Sequence, residues 1–341
     1  MNISGLKKAS RFLYRLIDSR FFSGKPILLS HLVTLRCNCK CDTCLWSKPG
    51  SNDELSSNEI EKIYQDARDL GFIINSIWGG EPLIREDIAQ IVKASKENNL
   101  LTVVITNGYF LRERIKEISE YVDCFVFSID YPSEKHDEMR HCKGIFNKAI
   151  QGIELVKGKF PDIKIIINSV VSKFNSEKIR ELADLSKELD VSIYFCPMEV
   201  GLMTSKGFNN RKGYLALNQN ELSDFAYEVI SLKKQGYKIN NSYNYLNTFA
   251  GGKKKFKCNV RKFAIQIYPN GDIINCIARD KPVANLKNIS LKDLFYMEKI
   301  KNLRFSDVNC SICNNPDIID SSYIWDLKLE SIWSYIKLNY L

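Results

Sequence analysis

The stretch "PILLSHLVTLRCNCKCDTC" (residues 26–44) joins a β-strand pattern directly to a cysteine-rich loop. Its first ten residues are largely apolar, which is typical of a strand buried on both faces of a parallel sheet. Four cysteines then fall within the eight positions 37–44. The chain has eleven cysteines, an odd number, and thiols clustered in this way are more typical of metal ligands than of disulfides. The stretch therefore predicts a metal-binding loop at the end of a buried strand.

Strand and helix patterns alternate from residue 27 to about residue 235. Five further apolar, β-branched runs follow the first strand, at residues 72–78, 101–106, 124–129, 163–171 and 191–197. Apolar residues recur at three- and four-residue spacing over residues 57–70, 85–98, 111–121, 145–158, 176–189 and 218–235. Buried strands joined by crossover helices predict an α/β fold, here a partial (β/α)6 TIM-like barrel. In such a barrel the active site forms at the carboxyl ends of the strands.

The pattern changes near residue 240, where a polar and basic segment begins. We expect three parts: a basic amphipathic helix over residues 1–25, a barrel domain over 26–240 and a smaller domain over 241–341. The smaller domain contains one β-hairpin, turned by "PNGD" (269–272), and a C-terminal helix. The N-terminal helix has two interpretations. In the first it contacts a membrane or an acidic partner, and in the second it packs on the barrel.

Composition places the chain among soluble globular proteins, with 45% hydrophobic and 26% charged residues. No apolar run approaches the roughly 18 residues that span a bilayer, so we expect no stable membrane insertion. The N-terminus lacks the apolar core of a secretory signal, which predicts a cytoplasmic protein. The net charge of +9 favours an anionic substrate only weakly.

Cys37, Cys41 and Cys44 have the spacing C-x-x-x-C-x-x-C. Three thiolates do not complete a tetrahedral zinc site, but they can hold three irons of a 4Fe–4S cluster and leave the fourth iron open to a small ligand. A zinc knuckle completed by a distant cysteine is the alternative. Cys39 lies between these candidate ligands and is expected to point away from them.

Short motifs at the later strand ends make the chain resemble the radical S-adenosylmethionine (radical SAM) superfamily. They are "GGEP" (79–82), "TNG" (106–108), "SID" (128–130) and "HDEMR" (136–140). The resemblance implies that S-adenosylmethionine binds at the open iron of a 4Fe–4S cluster. The cofactor-binding residues that it implies are Gly79, Gly80 and Glu81 at the amino group of the methionine moiety, Arg140 at its carboxylate, Ser128 and Asp130 elsewhere on the cofactor, and Asn168 at the ribose.

A second set of cysteines lies in the last hundred residues: Cys258, Cys276, Cys310 and Cys313. With Gly271 between the first two, they resemble the auxiliary-cluster module of SPASM- and twitch-type radical SAM enzymes. A full SPASM module has seven cysteines, so the resemblance is to the shorter twitch form and implies one auxiliary 4Fe–4S cluster. A structural zinc ion held by four thiolates is the alternative. Ligation of every iron by protein favours electron transfer over direct substrate binding.

The resemblance implies reductive cleavage of S-adenosylmethionine to a 5'-deoxyadenosyl radical, which abstracts a hydrogen atom from the substrate. We expect a small polar substrate, a sugar, cyclitol or nucleotide, that is oxidised or epimerised; modification of a peptide is the alternative. Cys142 and Cys196, near strand ends, are candidate catalytic hydrogen-atom donors. A reductant such as flavodoxin or ferredoxin is the expected protein partner. Nucleic-acid binding by a zinc-stabilised fold is not expected, because it leaves "GGEP" and "SID" unexplained.

Overall fold

The six strands predicted for the barrel are present, and they run parallel in chain order. The computed structural model describes residues 3–44, 53–199, 202–204, 207–209, 213–251, 256–274, 276, 281–306 and 313–339, so Cys310 lies outside the described residues. The barrel strands are β1 (Leu28–Thr34), β2 (Ile74–Gly79), β3 (Leu101–Thr106), β4 (Cys124–Ser128), β5 (Lys164–Val171) and β6 (Ser192–Pro197). A separate two-stranded hairpin consists of β7 (Leu202–Thr204) and β8 (Gly207–Asn209). The predicted α/β fold with a partial (β/α)6 barrel is confirmed.

Helices follow most of the strands and cover the outside of the sheet. In the first two thirds of the chain they are α1 (Ile3–Asp18), α2 (Ser57–Leu70), α3 (Ile88–Glu97), α4 (Leu111–Ile118), α5 (Lys135–Arg140), α6 (Ile145–Lys159), α7 (Ile179–Glu188) and α8 (Gln219–Lys234). In the last third they are α9 (Tyr243–Asn247), α10 (Val260–Phe263), α11 (Leu291–Tyr296), α12 (Glu298–Phe305), α13 (Pro316–Trp325) and α14 (Leu329–Asn339).

Local capping signals explain why some predicted bounds agree with the structure. At the start of α2 the Ser56 hydroxyl accepts from the backbone N–H of Glu59, whose carboxylate accepts in return from the backbone N–H of Ser56. Asn218 and Glu221 make the same reciprocal pair at the start of α8. α2 ends at Gly71, which has a left-handed conformation with φ +89°.

A hairpin from the last third of the chain extends the barrel sheet. β9 (Ala264–Ile267) and β10 (Asp272–Ile274) are antiparallel, joined at the predicted "PNGD" turn. β9 pairs in parallel with β1, so Gln266 lies beside Ser30, which in turn lies beside Ser76 of β2. With β11 (Ala284–Asn285), the strand order is β11-β10-β9-β1-β2-β3-β4-β5-β6. The sheet is therefore continuous across the domain boundary expected near residue 240.

The N-terminal helix α1 packs beneath the amino ends of the barrel strands. Its Phe12 is fully buried and stacks on Tyr335 of α14, with ring centroids 4.7 Å apart. Its Lys8 forms an ion pair of 2.9 Å with Asp123, which directly precedes β4. Of the two interpretations of this helix, packing on the barrel is the one that these contacts show. No helix in the described parts of the chain is both long and apolar enough to cross a membrane.

Candidate active site

The cysteine loop lies at the carboxyl end of β1, where it lines a cavity of about 300 Å³. Cys37, Cys41 and Cys44 all contribute to the cavity wall. Two backbone hydrogen bonds fix the loop to the end of α5, from Lys40 N to the Arg140 carbonyl oxygen and from Asp42 N to the Met139 carbonyl oxygen, each 3.1 Å. The loop and the "HDEMR" segment are therefore held side by side.

Cys39 turns toward the neighbouring thiols, and the expectation that it points away was wrong. Its side chain is buried and lines the cavity, and its backbone N–H lies 3.4 Å from the sulfur of Cys37. Hydrogen bonding with Cys39 lowers the pKa of the Cys37 and Cys41 thiols and raises the pKa of Cys39 itself. Because the thiolate is the form that binds metal, Cys37 and Cys41 are prepared for ligation.

The glycine pair of "GGEP" allows β2 to approach the start of the cysteine loop closely. Gly80 N donates to the Thr34 carbonyl oxygen at 2.7 Å, and Gly79 has φ +146°. A Cβ atom on either glycine would lie only 2.1 Å from a backbone carbonyl oxygen, that of Thr34 for Gly79 and that of Arg36 for Gly80. Both glycines line the cavity. Residues with side chains cannot replace them without moving the loop.

Glu81 was expected to face the ammonium group of S-adenosylmethionine, but the structure directs its carboxylate elsewhere. The side chain is fully buried and is absent from the described lining of the cavity. Its oxygens accept hydrogen bonds from Leu83 N (3.0 Å), the Thr106 hydroxyl (2.7 Å) and Asn107 N (2.7 Å). Burial raises the pKa of Glu81 to about 7. A desolvated carboxylate requires several donors, and here the "TNG" turn supplies them, so Glu81 joins the ends of β2 and β3.

Asp130 was expected to bind the cofactor, but it positions Arg140 instead. Its Oδ2 accepts from Nη2 of Arg140 at 2.7 Å and from Nε at 3.0 Å, and its Oδ1 accepts from Val170 N at 2.9 Å. The backbone N–H of Asp130 donates to Nδ1 of His136. Burial lowers the pKa of this histidine, so its ring is neutral and Nδ1 can accept. Arg140 lines the cavity, whereas Asp130 is fully buried behind it.

Ser128 and Asn168 lie beside each other on β4 and β5, and both line the cavity. The side-chain oxygen of Asn168 is buried and has no hydrogen-bond partner among the described residues. Buried polar atoms nearly always have a partner, so this acceptor is available to a donor on a bound molecule. A ribose hydroxyl fits that requirement.

The two candidate hydrogen-atom donors occupy different surroundings. Cys196, at the end of β6, lines the cavity, and burial raises the pKa of its thiol well above the usual value. Cys142 is absent from the described cavity lining, and its sulfur lies 3.5 Å from the side-chain nitrogen of Asn38. The structure therefore places Cys196, and not Cys142, where a substrate could bind.

The second set of cysteines converges beside the same cavity. Cys258, Cys276 and Cys313 form one small apolar cluster with Ile318, and they line a pocket of about 10 Å³. Cys276 and Cys313 also form part of the wall of the large cavity. The fourth predicted ligand, Cys310, lies outside the described residues. Three of the four thiols are thus brought together from segments on either side of the β9–β10 hairpin.

These residues are of the chemical types that the implied groups need, although among the described residues no three histidine, cysteine or acidic side chains lie close enough together to hold a single metal ion. Three thiols on one loop provide the donor set of an iron–sulfur cluster with an open position. The glycine pair lets β2 approach the backbone of the cysteine loop closely, and the unpartnered oxygen of Asn168 offers an acceptor to a bound molecule. The converging thiols of the second set match the soft ligands of an auxiliary iron–sulfur cluster or of zinc.

Comparison with known families agrees with this arrangement. A sequence model described as "Radical SAM superfamily" matches residues 32–186, which begin within β1 and end within α7. Residues 32–186 form a radical SAM domain. This domain contains the cysteine loop, the glycine pair and the cavity-lining residues of β3, β4 and β5.

Individual relatives of the radical SAM domain are enzymes of several kinds. The AdoMet-dependent heme synthase of Methanosarcina barkeri is 33% identical over 178 residues, which are 50% of this chain and 50% of that enzyme. The GTP 3',8-cyclase of Aquifex aeolicus is 27% identical over 298 residues, 81% of this chain and 90% of the relative. The structure of Streptococcus suis SuiB bound to its precursor peptide SuiA has a TM-score of 0.67 and 20% identity over 92% of this chain and 75% of SuiB. The chain thus spans about half the length of the heme synthase, and its likeness to SuiB is one of fold.

Sequence reasoning missed several polar residues of the cavity, among them Gln266 and Asp317. A single glutamine inside the apolar run "FAIQIY" was a signal of a polar group facing a ligand. Asp317 follows a proline at the start of α13 and resembles an ordinary acidic residue of a first helical turn. Its place on the cavity wall depends on tertiary packing, which the sequence does not display.

Proposed function

We propose that the whole chain is a radical SAM enzyme in which Cys37, Cys41 and Cys44 hold a 4Fe–4S cluster. When bound there, the cluster supplies the electron that cleaves S-adenosylmethionine into methionine and a 5'-deoxyadenosyl radical. One observation carries the proposal: three loop thiols at the end of β1 share a cavity with the glycine pair of β2, Arg140 and the unpartnered oxygen of Asn168.

The polar residues of the cavity would orient the cofactor. Arg140 is held in place by Asp130 and would pair with the methionine carboxylate, a task that suits its planar guanidinium. Ser128 and Asn168 would bind the nucleoside portion from adjacent strands. The backbone of Gly79 and Gly80 would meet the methionine amino group. Each of these roles uses a group that the described structure places on the cavity wall.

We further propose that Cys258, Cys276, Cys310 and Cys313 ligate one auxiliary iron–sulfur cluster. Cys276 and Cys313 reach the wall of the large cavity, so an electron would pass over a short distance between a substrate in that cavity and the second site. The substrate would be a small polar molecule that is oxidised or epimerised. The cavity volume of about 300 Å³ supports a small substrate, because it lies at the low end of the range for ligand sites and must also admit the cofactor.

Modification of a peptide is the second candidate function. It is supported by the fold shared with SuiB, which is bound to a precursor peptide in its solved structure. A cavity of this size would then accept one side chain of the peptide rather than a whole small molecule.

Iron content and cofactor cleavage test the proposal. Anaerobically reconstituted protein is expected to hold about eight irons, and Cys41→Ala and Cys276→Ala are each expected to hold about four. With dithionite and S-adenosylmethionine, the wild type and Cys276→Ala should release 5'-deoxyadenosine, whereas Cys41→Ala should release none. Cys124→Ala is the matched control, since Cys124 is buried on β4 outside the cavity lining. Full iron content in Cys41→Ala, or cofactor cleavage by that variant, would contradict the assignment.

A further inference from the structure

A row of polar side chains crosses the barrel sheet at one level of the cavity. Gln266 of β9, Ser30 of β1 and Ser76 of β2 are neighbours in register, and all three line the cavity. The Ser30 hydroxyl accepts a hydrogen bond of 2.8 Å from the indole N–H of Trp78. Adjacent strands lie roughly 4.8 Å apart, so the row spans about 10 Å. A polar row of this length is able to contact several groups of one small molecule.

Gln266 has an unmet hydrogen-bonding capacity within this row. Its side chain is 5% exposed, yet neither its amide oxygen nor its amide nitrogen has a partner among the described residues. Leaving both ends of a buried amide without partners is unfavourable. A ligand that both donates and accepts, such as a hydroxyl or an amide, would remove that cost.

Asp317 places a carboxylate on the wall of the same cavity. It lies in the first turn of α13, and its carboxylate has no hydrogen-bond or ion-pair partner among the described residues. Glu199, at the end of β6, accepts from Asn314 N at 2.7 Å and from Asn315 N at 2.8 Å, which fixes the start of α13. The Asp317 side chain is solvent-accessible on the cavity wall. The surrounding protein still removes part of the hydration of its carboxylate, and this desolvation raises its pKa to about 6. A cation bound beside Asp317 would favour the charged form of this carboxylate.

The described residues of the cavity wall include more anionic than cationic side chains. The whole protein has a net charge of +9, but the anionic side chains on the described cavity wall are Glu199 and Asp317. Arg140 is the one lysine, arginine or histidine among the described lining residues, and the proposed function already assigns it to the carboxylate of S-adenosylmethionine. A phosphate-bearing substrate would find no unpaired cation on this part of the wall.

We infer that Gln266 and Asp317 form the substrate-binding end of the cavity, for a substrate that presents an ammonium group to Asp317 and a hydroxyl or amide group to Gln266. The inference rests on the proposed function, which assigns Arg140, Ser128, Asn168 and the glycine pair of the same cavity to S-adenosylmethionine. Two sources supply this chemistry, an amino sugar or aminocyclitol and the lysine side chain of a peptide. In either case the ammonium replaces lost hydration with a direct charged hydrogen bond.

Paired probes that differ in the charge of one amine test this inference. Isothermal titration calorimetry would use the reconstituted full chain with S-adenosylmethionine and no reductant. The first pair is glucosamine and N-acetylglucosamine; the second is acetyl-Ala-Lys-Ala-amide and the same peptide acetylated on its lysine. We expect the charged member of one pair to bind at least about tenfold more tightly, and that pair identifies the source.

Variants then assign the preference to the named residues. Asp317→Asn should remove the difference within the pair, and Asp317→Glu should retain most of it. Gln266→Met should weaken both members of the pair to a similar extent. Asp224→Asn, at an exposed aspartate of α8, should change neither affinity. Circular dichroism and iron content identify any variant that fails to fold. In that case the affinity differences within the probe pairs, measured on the wild type and on Asp317→Glu, still test the inference.

Several outcomes would overturn the inference. They are equal affinities within both pairs, no binding of any probe, a preference that survives Asp317→Asn, and tighter binding of glucose 6-phosphate than of glucosamine. Release of 5'-deoxyadenosine by the same preparation separates this failure from that of the proposed function. If the cofactor is cleaved and the amine pairs show no difference, the recognition site alone is wrong. If the cofactor is not cleaved, the proposed function itself fails.

Discussion

Arg140 and Asp130 meet in a buried, two-point ion pair at the cavity wall, where Nη2 and Nε of the guanidinium lie 2.7 and 3.0 Å from the same carboxylate oxygen. The aspartate belongs to "SID" and the arginine to "HDEMR", so the contact joins the end of β4 to the helix α5 that follows it. The pair orients the guanidinium before any ligand binds.

Asp130→Asn should destabilise the fold and weaken binding of S-adenosylmethionine. The substitution keeps the shape of the side chain but leaves the Arg140 charge buried without a counter-charge. Breaking a buried pair in this way costs about 3–5 kcal/mol. Urea unfolding and equilibrium binding of S-adenosylmethionine would measure the two effects.

An exposed ion pair supplies the control for that substitution. Asp190 pairs with Lys238 at 2.6 Å, and both side chains are more than half exposed. Asp190→Asn should change the free energy of unfolding by less than about 1 kcal/mol. Similar losses in Asp130→Asn and Asp190→Asn would mean that burial of the Arg140 pair has no special effect.

Gly80→Ala should disrupt the first iron site selectively. Its new methyl group would lie 2.1 Å from the Arg36 carbonyl oxygen, so the start of the cysteine loop must move. We expect a loss of about 1–3 kcal/mol in the free energy of unfolding and retention of about half of the iron. Gly158→Ala is the matched control, because that glycine of α6 has no neighbour within 4 Å and helical alanine is favoured. Unchanged iron content in Gly80→Ala would contradict the close approach.

The buried carboxylate of Glu81 should make stability depend on pH. Its pKa is about 7 in the folded chain and 4.5 in the reference state, so the folded state keeps a proton that the unfolded state loses. Glu81 therefore makes its full contribution to the free energy of unfolding below pH 4.5. This contribution, on the order of 3 kcal/mol, is lost as pH rises through 7.

Urea unfolding between pH 4.5 and pH 8 measures this dependence. Glu81→Gln should have a flatter profile than the wild type, because glutamine does not titrate. Glu113→Gln, at an exposed glutamate of α4, should follow the wild-type profile. A wild-type profile as flat as that of Glu81→Gln would show that burial of this carboxylate does not raise its pKa.

Cys196 should be able to quench the radical that forms during uncoupled cleavage of S-adenosylmethionine. Its thiol lines the cavity. Thiol hydrogens exchange with solvent, and donation of this hydrogen atom to the 5' radical would leave a thiyl radical on Cys196. In heavy water, transfer of the S–D deuterium to the 5' carbon would leave deuterium in 5'-deoxyadenosine. Mass spectrometry should find less deuterium in the product of Cys196→Ala. Cys142→Ala should match the wild type, and equal labelling in all three proteins would remove Cys196 from this role.

Much of the barrel could be predicted because each element has a local signal. Residues 101–106 and 57–70 form β3 and α2 with the predicted bounds, since an apolar run defines the first and a capping box begins the second. The positions of the motifs at successive strand ends follow from the same alternation. Sequence position alone did not reveal which way each side chain turns there. Glu81 and Asp130 bond to neighbouring backbone and side-chain groups of other loops, and those partners are distant in the sequence.

The pairing of β9 with β1 could not be predicted for a related reason. Both strands have suitable apolar patterns, but strand patterns do not specify partners across such a separation. The same contact decides the location of Gln266, which stands beside Ser30 only because the two strands are neighbours. The auxiliary cysteines were recognised from their spacing, whereas their position on the cavity wall depends on this long-range pairing.

The late arrival of β9 has a consequence for how the protein is made. Leu28 of β1 pairs with Ala264, so more than 200 residues must be synthesised after β1 before its second edge is covered. Until then the nascent chain has an open strand edge of the kind that pairs with other chains and aggregates. Contacts between residues so far apart in sequence also slow folding. Synthesis of β9, rather than emergence of the cysteine loop, therefore sets the earliest time at which the sheet beside β1 is complete.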